Sequence, residues 1–279
     1  MIRSVADDAQ GWTRGMVPVA GRDLFYRVSR GPAGVVPILH VHGFAISGAY
    51  LMPTARRLVR HGVNIVPDLP GYGRSHRRDH TLDIPELAQA VLALLDALAL
   101  DRVVLLGNSM GCPVSLEVAH AAPERVERLV LVSPAGGIHN QPLPRALVQL
   151  AQDGARESPR MARVAVPDYL RFGPVSALRL FHQLTRFPSL ERLQHTPVPT
   201  LAVLGSRDPL MPGPQRVIEV ARASPEHVTV VVIHGAAHAI NFSHPGELAN
   251  VVSAWLEDRE IVDDPDQPGD ARVFAIPRE

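Results

Sequence analysis

The stretch VVLLGNSMGCPVSLEVAH, residues 103–120, constrains this chain more than any other. Four aliphatic residues run straight into Gly107-Asn108-Ser109-Met110-Gly111, after which apolar residues recur at helical spacing. This pattern predicts a buried strand that turns sharply into a helix, with a serine at the turn. A serine there sits in strained backbone, and the glycines two positions away on either side keep the turn free of clashes. At the carboxyl end of a parallel strand its hydroxyl projects into the crevice where open α/β sheets bind ligands, and the dipole of the following helix points at developing negative charge.

The chain repeats that strand-to-helix step. Residues 16–19 and 24–28 flank Gly21-Arg22 and read as an edge hairpin, and residues 35–41 are a continuous apolar run. Strand-like segments 63–67, 103–106, 129–132, 200–204 and 228–233 then alternate with helix-like segments 49–61, 84–100, 113–121, 214–223 and 247–256. The alternation predicts an α/β fold, a mostly parallel twisted sheet with helices on both faces. It breaks between residues 136 and 195, where short amphipathic pieces are divided by Pro142, Pro144, Pro159, Pro167, Pro174 and Pro188. The expected organisation is therefore a core of residues 1–135 and 196–257, a helical cap or lid of residues 136–195 inserted after the sixth strand, and an acidic, Pro-rich tail of residues 258–279 that is loosely ordered. With 279 residues, 46% of them hydrophobic, the chain can bury one large core.

Charge and residue usage remove whole classes of function. The 28 basic and 28 acidic residues cancel, so no global field draws in nucleic acid or an anionic membrane, and a small-molecule partner is expected. All the basic residues are arginine, which excludes the phosphate lysine of P-loops and the Schiff-base lysine of pyridoxal chemistry. The one cysteine, Cys112, cannot form an internal disulfide, and two aspartates stand where a signal peptide has its apolar stretch; the expected compartment is the cytoplasm. The most apolar helical segment, residues 88–100, carries Asp96 and is too short to span a bilayer, which takes about 20 apolar residues.

A serine hydroxyl is a poor nucleophile until a base takes its proton, and that base needs a carboxylate to orient it. Both follow in the chain. Asp208 stands just past the strand-like run 201–204, and His238 lies in the loop after the run 228–233. Asp208-Pro209 also fits a plain turn, but its place at a strand end favours catalysis. His234 is the rival histidine; it lies inside the strand run, where a core role is expected, so His238 is preferred. Backbone amides of Phe44 and Met110 are the candidate oxyanion donors, one after the His42-Gly43 pair and one after the serine. His40 and His42 alternate along a strand with no further ligands at metal-binding spacing, which favours packing and loop anchoring. Cys112 reads as a buried small side chain, Asp68 as a brace for neighbouring amides, and Arg74, His76, Arg77, Arg78 and His80 as a solvated basic loop or an acid-greeting patch. Leu143, Leu147, Leu150, Phe172, Leu178, Phe181 and Phe187 could line a pocket under the cap, although core packing within it claims most of them.

Together, His42-Gly43-Phe44, Asp68-Leu-Pro-Gly-Tyr-Gly-Arg-Ser75, Gly107-Asn-Ser-Met-Gly111, Gly205-Ser-Arg-Asp208 and Gly235-Ala-Ala-His238 resemble the α/β-hydrolase superfamily, in that family's order. The resemblance covers residues 16–256 and implies the α/β-hydrolase fold, a Ser109-His238-Asp208 triad, no cofactor and no metal. Serine at the nucleophile position disfavours the branches that work through an aspartyl ester. The expected reaction is hydrolysis of a carboxylic ester, thioester or lactone of a small, largely apolar molecule through an acyl-enzyme on Ser109. The elbow is also similar to that of carbon–carbon bond hydrolases acting on vinylogous diketones, although Ala45 and Ala239 depart from their pattern. A non-catalytic small-molecule receptor on the same fold is a further alternative.

Overall fold

The computed structural model describes residues 3–5, 11–76, 80–263 and 272–276. Its strands are β1 (Arg3–Val5), β2 (Trp12–Val19), β3 (Arg22–Ser29), β4 (Ile38–Val41), β5 (Asn64–Pro67), β6 (Val103–Asn108), β7 (Val126–Val132), β8 (Thr200–Gly205), β9 (Val228–Ile233) and β10 (Val273–Ala275). They form one sheet in the order β1-β2-β3-β5-β4-β6-β7-β8-β9-β10. From β5 to β9 every neighbouring pair is parallel, while β1, β2 and β3 at one edge and β10 at the other pair antiparallel. The strands β4, β5, β6 and β8 are buried along their whole length, which is why apolar residues dominate them without strict alternation.

The helices are α1 (Met52–Arg57), α2 (Ile84–Ala97), α3 (Gly111–Ala121), α4 (Leu143–Arg156), α5 (Pro159–Phe172), α6 (Pro174–Arg186), α7 (Ser189–Gln194), α8 (Pro214–Ala223), α9 (Ile240–Ser243) and α10 (Pro245–Leu256). Along β6 the side chains alternate between two cores. Val103 and Leu105 join the cluster that holds Leu87 and Val91 of α2, Val114 of α3 and Val217 of α8. Val104 and Leu106 join the other, with Leu248, Val251 and Val252 of α10. Each such side chain contributes about 1.5–3 kcal/mol by leaving water, so the central strands are held from both faces. The capping box of α2 fixes its start, with Asp83 accepting from the Glu86 amide and Glu86 from the Asp83 amide, each at 2.9 Å.

The sheet order reverses between β4 and β6: β5 lies on one side of β4 and β6 on the other. A crevice opens at the carboxyl ends of strands at such a point, which here brings the loops after β4 and β6 together.

Three expectations need correction. The helical insertion α4–α7 follows the seventh strand, because β1 precedes the predicted hairpin. The expected helix over residues 49–61 is broken into a 3-10 turn, the short α1 and a second 3-10 turn. Within the tail of residues 258–279, Val273, Phe274 and Ala275 form β10 on the open edge of β9; the β-prone Val-Phe pair meets unpaired strand backbone there. The remaining tail residues 264–271 and 277–279 lie outside the described residues.

Candidate active site

Ser109 has a backbone φ of +55°, the left-handed region that side chains avoid. The glycines around it are required by space. A Cβ on Gly111 would run into the carbonyls of Val41 and His42, and one on Gly107 into the Gly111 backbone, with 2.6 Å to its carbonyl carbon. The turn is therefore packed directly against the end of β4. The Ser109 amide donates to the Val132 carbonyl at 3.0 Å, tying the elbow to β7.

Asp208 and His238 are brought together by the loops after β8 and β9. Asp208 Oδ2 lies 2.7 Å from His238 Nδ1, and Asp208 Oδ1 accepts from the Leu210 amide at 2.8 Å. The aspartate thus closes its own turn and holds the imidazole. His238 is buried; burial, the largest single influence, would lower its pKa, but the charge and hydrogen bond of Asp208 together with Asp153 and Glu157 outweigh it, and the ring is raised to about 9. Ser109 and His238 face a common cavity of about 630 Å³. His238 Nε2 is buried without a hydrogen bond, so the serine hydroxyl is not bonded to it in this structure. His234 is exposed at the end of β9, with its ring 3.4 Å from Ser206 Oγ, and is not the core residue expected of it.

The Phe44 and Met110 amides make no hydrogen bond among the described residues. Gly43, before Phe44, lies so close to the elbow that a Cβ would sit 3.2 Å from that of Ser109 and 2.9 Å from the Tyr50 hydroxyl. That hydroxyl accepts from the Gly43 amide at 2.8 Å and donates to Asn108 Oδ1 at 2.6 Å. Asn108 Nδ2 in turn donates to the carbonyls of Val132, at 3.0 Å, and His238, at 3.4 Å. Tyr50 and Asn108 therefore link the loops that carry Phe44, Ser109 and His238. Asn108 was inside the elbow and could have been flagged; nothing in the sequence marks Tyr50.

Four other residues flagged in the sequence have structural roles. His42 Nδ1 lies 2.9 Å from the Gly43 carbonyl and its Nε2 accepts from the Leu69 amide at 2.8 Å. His40 Nε2 is 2.7 Å from Asn64 Oδ1, and burial pushes its pKa down to about 4, so it is a neutral packing group. Cys112 is buried, and burial pushes its thiol pKa well up, away from nucleophilic chemistry. Asp68 accepts from the Gly48 and Arg74 amides at 3.0 and 2.9 Å and pairs with Arg27 at 2.8 Å. Of the basic loop, Arg74 covers the Phe25 ring and His80 lies 3.2 Å from Glu86, while Arg77 and Arg78 fall outside the described residues.

The cavity walls opposite the elbow come from α4, α5 and α6. Leu150 and Phe181 line it, as do Met161, Ala165, Val166 and Tyr169. Leu143, Phe172 and Phe187 pack against the main core instead, and Leu147 and Leu178 are exposed. Two acidic residues, Asp153 of α4 and Glu157 at its C-cap, also line the cavity; as polar positions in and beside an amphipathic helix they carried no signal.

The sequence profile described as alpha/beta hydrolase family matches residues 38–251. The chain is 31% identical over 274 residues to the dihydrolipoyllysine-residue acetyltransferase component of the acetoin cleaving system of Pseudomonas putida, covering 90% of this chain and 71% of that one. It is 28% identical over 251 residues to the pimeloyl-[acyl-carrier protein] methyl ester esterase of Pectobacterium carotovorum, covering 81% and 96%. Among solved structures it is similar to a bacterial membrane phospholipase A, with a TM-score of 0.75 and 25% identity over 89% of this chain and 87% of that one. No described helix is long and apolar enough to cross a membrane. With its sheet order, its elbow and a profile match across most of its length, this chain belongs to the alpha/beta hydrolase family, in which it has esterases among its relatives.

Proposed function

We propose that the protein is a serine hydrolase that cleaves a carboxylic ester, thioester or lactone of a small, largely apolar molecule. The observation that carries this reading is the meeting of a strained, glycine-flanked Ser109 and an Asp208-held His238 at one cavity. Core residues 1–135 and 196–257 supply these groups, and residues 136–195 act as the cap that shapes the substrate space. The catalytic groups are Ser109, His238 and Asp208, and the oxyanion donors are the Phe44 and Met110 amides.

In the first step His238 Nε2 takes the Ser109 proton while Oγ attacks the acyl carbon. The Ser109 Oγ to His238 Nε2 hydrogen bond that this requires forms with substrate bound, since such bonds often tighten only in the complex. The carbonyl oxygen becomes negative beside the Phe44 and Met110 amides, each such donor contributing about 3 kcal/mol to barrier lowering. His238 then protonates the leaving alkoxide or thiolate. Water, deprotonated by the same imidazole, attacks the acyl-serine and releases the acid. Asp208 keeps Nδ1 protonated throughout and stabilises the imidazolium. The cavity's apolar wall, where Phe44 meets Phe181 and Tyr169 at centroid distances of 5.3 and 6.0 Å, suits an uncharged acyl or alcohol group.

The test is Ser109→Ala, assayed against p-nitrophenyl esters of graded chain length and a vinylogous diketone, beside labelling of the wild-type protein by a fluorophosphonate. Ester turnover lost in the variant, with labelling at Ser109, supports the reading. Cleavage confined to the diketone moves the activity to carbon–carbon bonds. Undiminished turnover in Ser109→Ala, or tight ligand binding without labelling or turnover, overturns it.

A further inference from the structure

Asp153 lies in the last turn of α4 and Glu157 is the extended residue that caps its C-terminus, and both reach the loop that carries His238. Asp153 Oδ1 accepts from the His238 amide at 3.2 Å, and Glu157 Oε1 accepts from the Ala239 amide at 2.6 Å. The two carboxylates thus take consecutive backbone donors of one loop, from a helix of the insertion. Asp153 is only 7% exposed, and Glu157 Oε2 is buried without a partner. Two acids are an expensive way to cap two amides, because an amide side chain would accept the same hydrogen bonds without burying charge.

We propose that Asp153 and Glu157 are a positioning pair: they fasten the helical insertion to the His238 loop, and their charge sets the pH at which His238 serves as base. This rests on the reading of His238 as the base.

The charged groups facing His238 are Asp208 from the loop after β8, Asp153 from α4 and Glu157 from its C-cap. Arg156 bears on Asp153 and donates to the Arg207 carbonyl at 2.7 Å. His139 lies near Asp208, and Tyr169 near Asp153; burial lowers the pKa of the first and raises that of the second to about 12. Three carboxylates thus surround one imidazole, with Arg156 partly offsetting Asp153. Burial raises the pKa of both Asp153 and Glu157, and His238 pulls each back down, so ring and acids act on one another. Each ionised carboxylate favours the imidazolium and so delays the appearance of the neutral base as pH rises.

The test follows the His238 ring itself, by nitrogen-15 histidine NMR across pH, in the intact protein and in Asp153→Asn/Glu157→Gln. The amides keep an acceptor oxygen for each backbone donor and remove the charge. The ring midpoint is expected to fall by about 1 unit in the double variant. The acidic limb of kcat/KM for a p-nitrophenyl ester is expected to fall with it. Each single variant shows part of the shift, which keeps the test open where the double variant does not fold. In Asp153→Ala/Glu157→Ala the ring shift is expected to persist while kcat drops at every pH, because the loop is no longer held. A ring midpoint unmoved in the folded amide variants overturns the inference, whatever the activity does. A moved midpoint beside a fully active Ser109→Ala keeps the positioning pair and sinks the hydrolase mechanism instead.

Discussion

The sheet and the helical insertion solve the burial problem in opposite ways. The strands β4, β6 and β8 are buried at every position, and the loops that leave them carry Phe44, Ser109 and Asp208. In α5 no residue is fully buried, and Val166 and Leu170 are 54% and 77% exposed although both also border the cavity. A strand gripped on two faces holds the residue at its end in one place. A helix with one packed face can shift or exchange side chains at little cost, so the cavity wall can vary there while the proposed reacting groups stay fixed.

The largest effect that tests this division is Asp208→Asn. The carboxylate lies 2.7 Å from His238 Nδ1 and also accepts from the Leu210 amide at 2.8 Å. The amide retains an oxygen for Leu210 and turns its NH2 group toward the imidazole, favouring the tautomer with the proton on the wrong nitrogen. A fall in kcat of about 10⁴-fold with little change in KM is expected from steady-state kinetics. A loss confined to KM would move the chemistry out of the sheet loops. The same pair has a signature in stability: the ring is raised to about 9, above the ordinary value near 6.5 expected when unfolded. Its contribution is full below pH 6.5 and disappears as pH rises through about 9, whereas catalysis needs the neutral ring and gains over that range. Thermal melts across pH are therefore expected to show wild-type stability declining where activity climbs, with a flatter slope in Asp208→Asn.

The same division decides what could be read from the sequence. The elbow was legible because its requirements are local: an apolar strand, two glycines forced by contact with β4 and the Gly111 backbone, and a helix. Asp208 and His238 were legible because parallel strands deliver their following loops to one edge, so a strand-end position is already a position in space. The role of Asp153 was not, since a carboxylate on an amphipathic helix looks solvated until the helix is docked. Tyr50 sits in a 3-10 turn where a long helix was expected, and its bond to Asn108 spans 58 positions. Likewise β10 is three residues in an acidic tail, and only the free edge of β9 gives it a place.

A pair of identical truncations sharpens the comparison energetically. Leu105 in β6 is fully buried between α2, α3 and neighbouring strands. Leu105→Ala removes that apolar contact and leaves a cavity that two flanking layers cannot close, costing about 2–5 kcal/mol in chemical denaturation. A cost below about 1 kcal/mol would mean that the central strand relaxes as easily as an exposed helix.

Leu170→Ala is the smallest change and the one that isolates the insertion. The side chain is 77% exposed, on α5, with one edge at the cavity. Little apolar surface returns to water on truncation, so stability is expected to stay within about 0.5 kcal/mol of the parent in the same denaturation. Alanine also favours the helix slightly. What changes is the rim of the cavity: a longer acyl chain loses a wall it would touch, while a short one never reaches it. The expected kinetic result is a higher KM for long-chain p-nitrophenyl esters, by about 3- to 10-fold for the loss of roughly 0.7 to 1.4 kcal/mol of contact, with kcat and short-chain KM unchanged. A matching drop in kcat would tie α5 to the reacting groups and erase the contrast between the fixed sheet edge and the adaptable wall above it.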